Sequence, residues 1–150
     1  MINHAEKAKN IFLSGYNCAQ SVLLAFSDIT GLDEKTAFKI ASSFGGGMGR
    51  LREVCGAVSG MFMVTGLLYS CDTLTNNADK IAHYTKIQDL AREFKQKNGS
   101  IICRELLSGS FNNDNSPNAS ERTPEYYKKR SCADFVYDCA ELIDKKLQVK

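Results

Sequence analysis

The chain has 150 residues, of which 43% are hydrophobic and 24% charged, and its formal net charge at pH 7 is +2. This length and composition are typical of one globular domain, which we expect to span residues 1–150. Without a basic or acidic block, the charge pattern argues against nucleic acid or a membrane surface as a partner.

The N-terminal segment is amphipathic and polar, and it lacks the apolar run of a signal peptide. This pattern predicts a cytoplasmic protein. The longest uncharged stretch, the 18 residues from Val54 to Cys71, reaches the threshold length of a membrane span. Because its glycines, serines and threonine make it only weakly hydrophobic, we interpret it as the buried central helix of a soluble bundle.

Caps and breaks divide the chain into helices. Asn17 and Asp33 are placed as N-caps, and Gly15 and Gly31 as helix ends. In chain order, the predicted helical segments are about 3–14, 17–29, 33–43, 53–70, 76–97, 100–107, a region opened by Thr123-Pro124, and 131–147. No segment shows sustained period-two alternation, so the predicted fold class is all-α, a helical bundle around the apolar helix at about 53–70.

Three further features of the chain carry structural predictions. The long helix over 76–97 is amphipathic through Ile81, Tyr84, Ile87, Leu90, Ala91 and Phe94. Residues 108–120, which are rich in Ser and Asn, predict a surface loop. The histidines His4 and His83 stand alone on surface-like helices, a placement typical of solvated side chains.

Four of the six cysteines fall in the first turn of four different predicted helices: Cys18, Cys55, Cys103 and Cys132. The free N–H groups and the positive dipole end at a helix start stabilise a thiolate, which is the form that attacks or binds metal. Arginines that would add to this effect are Arg50 and Arg52 beside Cys55, Arg104 beside Cys103, and Arg130 near Cys132.

The other two cysteines are interpreted differently. Cys71 lies about 24 Å along the helix from Cys55, so the two cannot share a site if that helix is unbroken. Cys139 continues the apolar stripe of the last helix and is interpreted as a small buried hydrophobe. Burial alone explains most single free cysteines, whereas four at the same structural position favour a chemical role.

The glycine loop FGGGMGR supplies the candidate cofactor-binding residues Gly45, Gly46, Gly47, Gly49 and Arg50. The loop matches neither G-x-x-x-x-G-K-[ST] nor G-x-G-x-x-G, and no strand precedes it, which disfavours nucleotide binding. We interpret its glycines as a tight turn that delivers Cys55 to a helix start. Gly56 and Gly60 would keep that helix thin, so that other cysteine-bearing helices come close.

The order of these motifs resembles a known family. Asn17-Cys18-Ala19-Gln20 is followed by FGGGMGR, by CGAVSG (residues 55–60), by GSIICRELL (residues 99–107) and by Cys132. The chain is similar, from about residue 5 to residue 145, to the redox-active family named for its C-GCAxxG-C-C cysteine pattern. The resemblance implies that Cys18, Cys55, Cys103 and Cys132 are the pattern cysteines. The chain departs from the literal Gly-Cys-Ala at Val54-Cys55-Gly56.

Three functions follow as alternatives. In the first, two or more of the four cysteines cycle between dithiol and disulfide, which leaves a thiol-dependent oxidoreductase activity open. In the second, all four thiolates bind zinc or an iron–sulfur cluster, although they lack the paired C-x-x-C spacing of common zinc modules. In the third, the protein is a small-molecule binding or structural module with buried cysteines. The redox partner is not readable from the sequence, and a homo-oligomer remains one option.

Overall fold

A computed structural model describes residues 3–108, 114–129 and 131–148 of the chain. Within these ranges the structure is all-α, as predicted, and contains no strand beyond one isolated bridge. The helices are α1 (His4–Leu13), α2 (Cys18–Ala25), α3 (Ser27–Thr30), α4 (Glu34–Ser42), α5 (Gly45–Met48), α6 (Gly56–Tyr69), α7 (Asn77–Asn98), α8 (Cys103–Leu106), α9 (Pro124–Lys129) and α10 (Cys132–Gln148).

Local hydrogen bonds confirm most of the predicted helix starts and ends. The side chain of Asn17 accepts from the Gln20 N–H, and the Gln20 side chain accepts from the Asn17 N–H, which completes a capping box at α2. Asp33 caps α4 by accepting from Thr36. The long helix α7 ends at Gly99, which takes a left-handed φ of 92°.

The core lies where α1, α2, α6 and α10 pack together. Helix α6 is the central apolar helix that the sequence predicts, and α2 crosses it closely because two glycines face the crossing. A Cβ at Gly60 would lie 2.9 Å from the Ala19 carbonyl oxygen, and one at Gly56 would lie 3.2 Å from the Cys18 Cβ. The small-residue face predicted on this helix therefore holds a cysteine-bearing helix close to it.

Three predicted helix starts or ends are wrong. The helix expected over 17–29 ends at Ala25, and a separate turn, α3, follows after Phe26. The helix expected from residue 53 begins only at Gly56, because the backbone of residues 52–55 hydrogen-bonds to residues 101–104 instead of forming a helical turn. Ser100 does not cap α8 either; its hydroxyl accepts from the Ile102 N–H and donates to Glu105.

The predicted amphipathic stripe of α7 packs on the core at its C-terminal end only. Leu90 and Phe94 are fully buried, whereas Ile81 and Tyr84 are 63% and 61% exposed. The N-terminal half of α7 therefore projects from the core. Among the described residues, no helix combines the length and the apolar character needed to cross a membrane.

His4 is not solvated as the sequence suggests. It is buried, and its ring nitrogens lie 2.7 Å from an Asp144 carboxylate oxygen and 2.9 Å from one of Asp28. Its ring also stacks on Phe26, with centroids 4.2 Å apart. Residues near His4 in the sequence could not predict this burial, because Asp144 lies 140 residues away.

Two sequence predictions fall partly or wholly outside the described residues. The loop predicted over 108–120 is described only at residue 108 and over 114–120, where the chain is non-helical. Arg130, expected near Cys132, also lies outside the described ranges.

Candidate functional site

The glycine loop forms a left-handed turn. Residues 46–50 all have φ between 61° and 73°, and Arg52 follows at 63°. Met48, Arg50 and Arg52 hold this conformation without being glycine, which is uncommon and is concentrated at functional sites. The Glu53 N–H donates to the Gly47 carbonyl at 2.9 Å and closes the turn.

A short antiparallel pairing then aligns two cysteines. The Cys55 N–H donates to the Ile101 carbonyl at 2.8 Å, and the Cys103 N–H donates to the Glu53 carbonyl at 2.6 Å. Gly47 packs directly under this pairing, since a Cβ there would lie 2.6 Å from the Cys103 Cβ. The left-handed turn therefore sets the positions of both Cys55 and Cys103.

The four pattern cysteines surround one cavity of about 50 Å³. Cys18, Cys103 and Cys132 are the first residues of α2, α8 and α10, and Cys55 is the N-cap of α6. The structure thus brings together four residues that are scattered over more than a hundred positions in the chain. The other lining residues include Leu106, Leu107, Tyr126 and Phe135.

Cys18 is the cysteine of this cluster whose pKa is lowered. A hydrogen bond from the Cys132 thiol lowers the pKa of Cys18 to about 7 against the opposing effect of burial, and the Gly46 N–H and the Arg122 charge lower it further. The same hydrogen bond, together with burial, raises the pKa of Cys132 well above its ordinary value. Burial, and next the charge at Cys18, raise the pKa of Cys55. The cluster therefore places one thiol of lowered pKa, Cys18, beside two thiols of raised pKa, Cys55 and Cys132.

The arginines occupy different places from those that the sequence suggests. Arg52 is buried and donates from Nη1 to the Cys103 sulfur at 3.8 Å. Arg104 points outward and pairs with Glu53 at 3.1 Å. The cation beside Cys18 is Arg122, which also donates to the Tyr16 carbonyl at 3.0 Å. Sequence reasoning missed Arg122 because no local motif marks it.

The two cysteines outside the pattern lie in different environments. Cys71 is exposed beyond the end of α6. Cys139 is fully buried, as predicted, and burial, followed by the charges at Cys55, Asp138 and Cys18, raises its pKa. Cys139 thus lies near the cluster, which its position on the apolar stripe did not reveal.

The candidate cofactor-binding residues divide between two pockets. Gly47 faces the cysteine cavity, whereas Gly45, Gly49 and Arg50 line a neighbouring pocket of about 300 Å³, and Gly46 borders both. Within the described ranges, no group of three or more His, Cys, Asp or Glu side chains has the arrangement of a metal site. The zinc and iron–sulfur alternatives therefore stay predictions from the sequence.

Comparison with known proteins gives one match. A family model described as putative redox-active protein (C_GCAxxG_C_C) matches residues 16–146, a range that includes all four cysteines around the cavity. No curated protein and no solved structure matches the chain.

Proposed function

Because this chain belongs to the C_GCAxxG_C_C family, which is described as redox-active, we propose that Cys18 and Cys132 form its dithiol–disulfide pair. The observation that carries the proposal is that both cysteines line one small cavity, at the starts of two helices that pack together, where each thiol shifts the pKa of the other. Both thiols belong to the first residues of helices that pack in the core, so a disulfide between them would join α2 to α10.

Cys18 is the attacking thiol in this proposal. With a pKa of about 7, it is substantially ionised at neutral pH, close to the optimum for an attacking thiol. Cys18 is also only half-buried, whereas Cys132 is buried and protonated. Cys132 is therefore the resolving thiol.

The reaction with a disulfide proceeds in two exchanges. The Cys18 thiolate attacks one sulfur of the substrate, the substrate S–S bond breaks, and the released thiolate takes up a proton from solvent. Cys132 then loses its proton to solvent and attacks the Cys18 sulfur of the mixed disulfide, and the second substrate thiolate leaves and is protonated. The two cysteines are oxidised by two electrons, and the substrate disulfide is reduced by two.

The first test maps the disulfide. After oxidation by a small disulfide under denaturant-free conditions, peptide mapping should find Cys18 joined to Cys132. The variants Cys18→Ser and Cys132→Ser should lose this bond, whereas Cys71→Ser, a change at an exposed cysteine away from the cavity, should form it like the wild type. A wild-type protein whose count of free thiols does not change on oxidation would contradict the proposal.

The second test follows alkylation with iodoacetamide as a function of pH. The reduced wild type should show a reactive thiol whose rate rises with an apparent pKa near 7, and this thiol should be absent from Cys18→Ser. Iron, zinc and sulfide should be assayed on the same anaerobically purified protein. Stoichiometric metal lost on replacement of Cys18 or Cys132 would favour the metal alternative instead.

A further inference from the structure

A second pocket opens directly beside the cysteine cavity. Its volume is about 300 Å³, which is in the range of small-ligand sites, whereas the cysteine cavity has only about 50 Å³. The two share the lining residues Asn17, Gly46, Arg52, Arg122 and Tyr126. The Gly46 N–H and the Arg122 charge also lower the pKa of Cys18, so a molecule in this pocket would lie next to the attacking thiol.

The described lining of this pocket is positively charged. Arg50, Arg52 and Arg122 contribute three guanidinium groups, and no Asp or Glu is among the described lining residues. The nearest counter-charge shown is Asp114, whose carboxylate lies 3.7 Å from Arg50 Nη2 and is more than half exposed. The pocket therefore keeps an excess of positive charge that a bound anion would neutralise.

Arg50 lines the pocket, and its one described ion pair is the 3.7 Å contact with Asp114. Its Nη1 is buried and has no hydrogen-bond partner among the described residues, although a buried guanidinium nitrogen without a partner is destabilising. The left-handed φ of 66° at Arg50 holds the residue at the pocket wall. Arg52 and Arg122 already donate to carbonyl oxygens, of Asp114 and of Tyr16 respectively.

We propose that this pocket binds the anionic group of a low-molecular-weight disulfide, through Arg50, and presents its S–S bond to Cys18. The inference rests on the proposed dithiol chemistry and names its substrate class. The exchange is the one described above: Cys18 attacks the nearer substrate sulfur, and the anionic thiolate that leaves is protonated by solvent. Cys132 then closes the Cys18–Cys132 disulfide and releases the other half.

The test compares three small disulfides that differ in charge: dithiodipropionate (anionic), hydroxyethyl disulfide (neutral) and cystamine (cationic). The reduced wild type should react fastest with the anionic and slowest with the cationic compound. The charge-neutralising variant Arg50→Gln should lose about 10- to 100-fold in rate towards the anionic disulfide and little towards the neutral one. Arg92→Gln, which removes an exposed charge on α7, should behave as the wild type.

Equal rates for the three disulfides in the wild type, or an anion preference that Arg50→Gln retains, would overturn the inference. If Arg50→Gln does not fold, a competition experiment with the wild type tests the anion site instead. Suberate, the dithiodipropionate analogue with methylenes in place of sulfurs, should inhibit the reaction competitively, and the uncharged octanediol should not. Inhibition by neither compound, or equally by both, would contradict the anion site.

Suberate also separates this inference from the proposed function. If no disulfide reacts with Cys18, the dithiol proposal fails, and calorimetric binding of suberate to the wild type then tests the pocket alone. Binding that Arg50→Gln abolishes and Arg92→Gln preserves would support the anion site without the redox chemistry. No suberate binding to the wild type would refute it.

Discussion

Replacing Gly47 by alanine should destabilise the protein far more than replacing Gly49, although both glycines lie in the same left-handed turn. Their φ values are 73° and 61°, so an alanine at either position carries a similar backbone strain of about 1–2 kcal/mol. Either substitution also restricts the unfolded chain to a similar degree. The difference between the two variants therefore isolates what surrounds each Cβ.

The surroundings are very different. A Cβ at Gly47 would lie 2.6 Å from the Cys103 Cβ and 2.8 Å from both the Arg52 Cα and the Glu53 nitrogen, whereas one at Gly49 would have only the Ser43 carbonyl oxygen, at 3.6 Å. Relieving the contacts at Gly47 requires the backbone to move. That movement would stretch the Glu53-to-Gly47 hydrogen bond, which is 2.9 Å long.

Overpacking of this kind costs about 1–3 kcal/mol, and a lost hydrogen bond adds about 1 kcal/mol. We therefore expect the free energy of unfolding of Gly47→Ala to be about 2–4 kcal/mol below that of Gly49→Ala. Urea unfolding of both variants, in excess reductant at one pH, measures this difference. If the two variants lose the same stability, the turn is not packed against Cys103, and the account of how it positions that cysteine is wrong.

Three further outcomes follow from the same contacts. Gly56→Ala should lower the free energy of unfolding by about 1–3 kcal/mol, because its Cβ would lie 2.8 Å from the Phe44 carbonyl oxygen and 3.2 Å from the Cys18 Cβ of α2. Gly66→Ala, which meets nothing within 4 Å, should raise it by up to about 1 kcal/mol. The reverse order in urea unfolding would contradict the close packing of Gly56 against Phe44 and α2. His4→Gln should cost about 2 kcal/mol or more in the same assay, because two part-buried carboxylates lose their partner, and a change under about 0.5 kcal/mol would show that the contact is not stabilising. The reduced protein should gain stability between pH 7 and 9, because the pKa of Cys18 is about 7 in the folded protein and 9.0 in the unfolded chain. This contribution, up to about 3 kcal/mol, is complete above pH 9 and is lost as the pH falls through 7. The variant Cys18→Ser should not show this rise.

The sequence alone predicts the helical fold and most of its boundaries because these depend on neighbours in the chain. The caps at Asn17 and Asp33 are bonds to the residue three positions ahead, and the end of α7 at Gly99 is a backbone preference of one residue. The apolar helix α6, with Gly56 facing its neighbour, was predicted for the same reason. The placement of Cys18 at a helix start follows from the cap at Asn17, whereas that of Cys55 and Cys103 depends on the pairing of residues 52–55 with 101–104.

Tertiary structure alone decides which groups meet. The contact between Cys18 and Cys132 joins helix starts 114 positions apart in the sequence, and the burial of His4 depends on a carboxylate at the far end of the chain. Likewise, only the pairing of residues 52–55 with 101–104 keeps α6 from starting at residue 53, and no periodicity marks Arg122 as the cation beside Cys18. Such contacts depend on the packing of distant parts of the chain, so local propensity determined the helices, and packing determined which thiols meet and why the pKa of Cys18 is lowered.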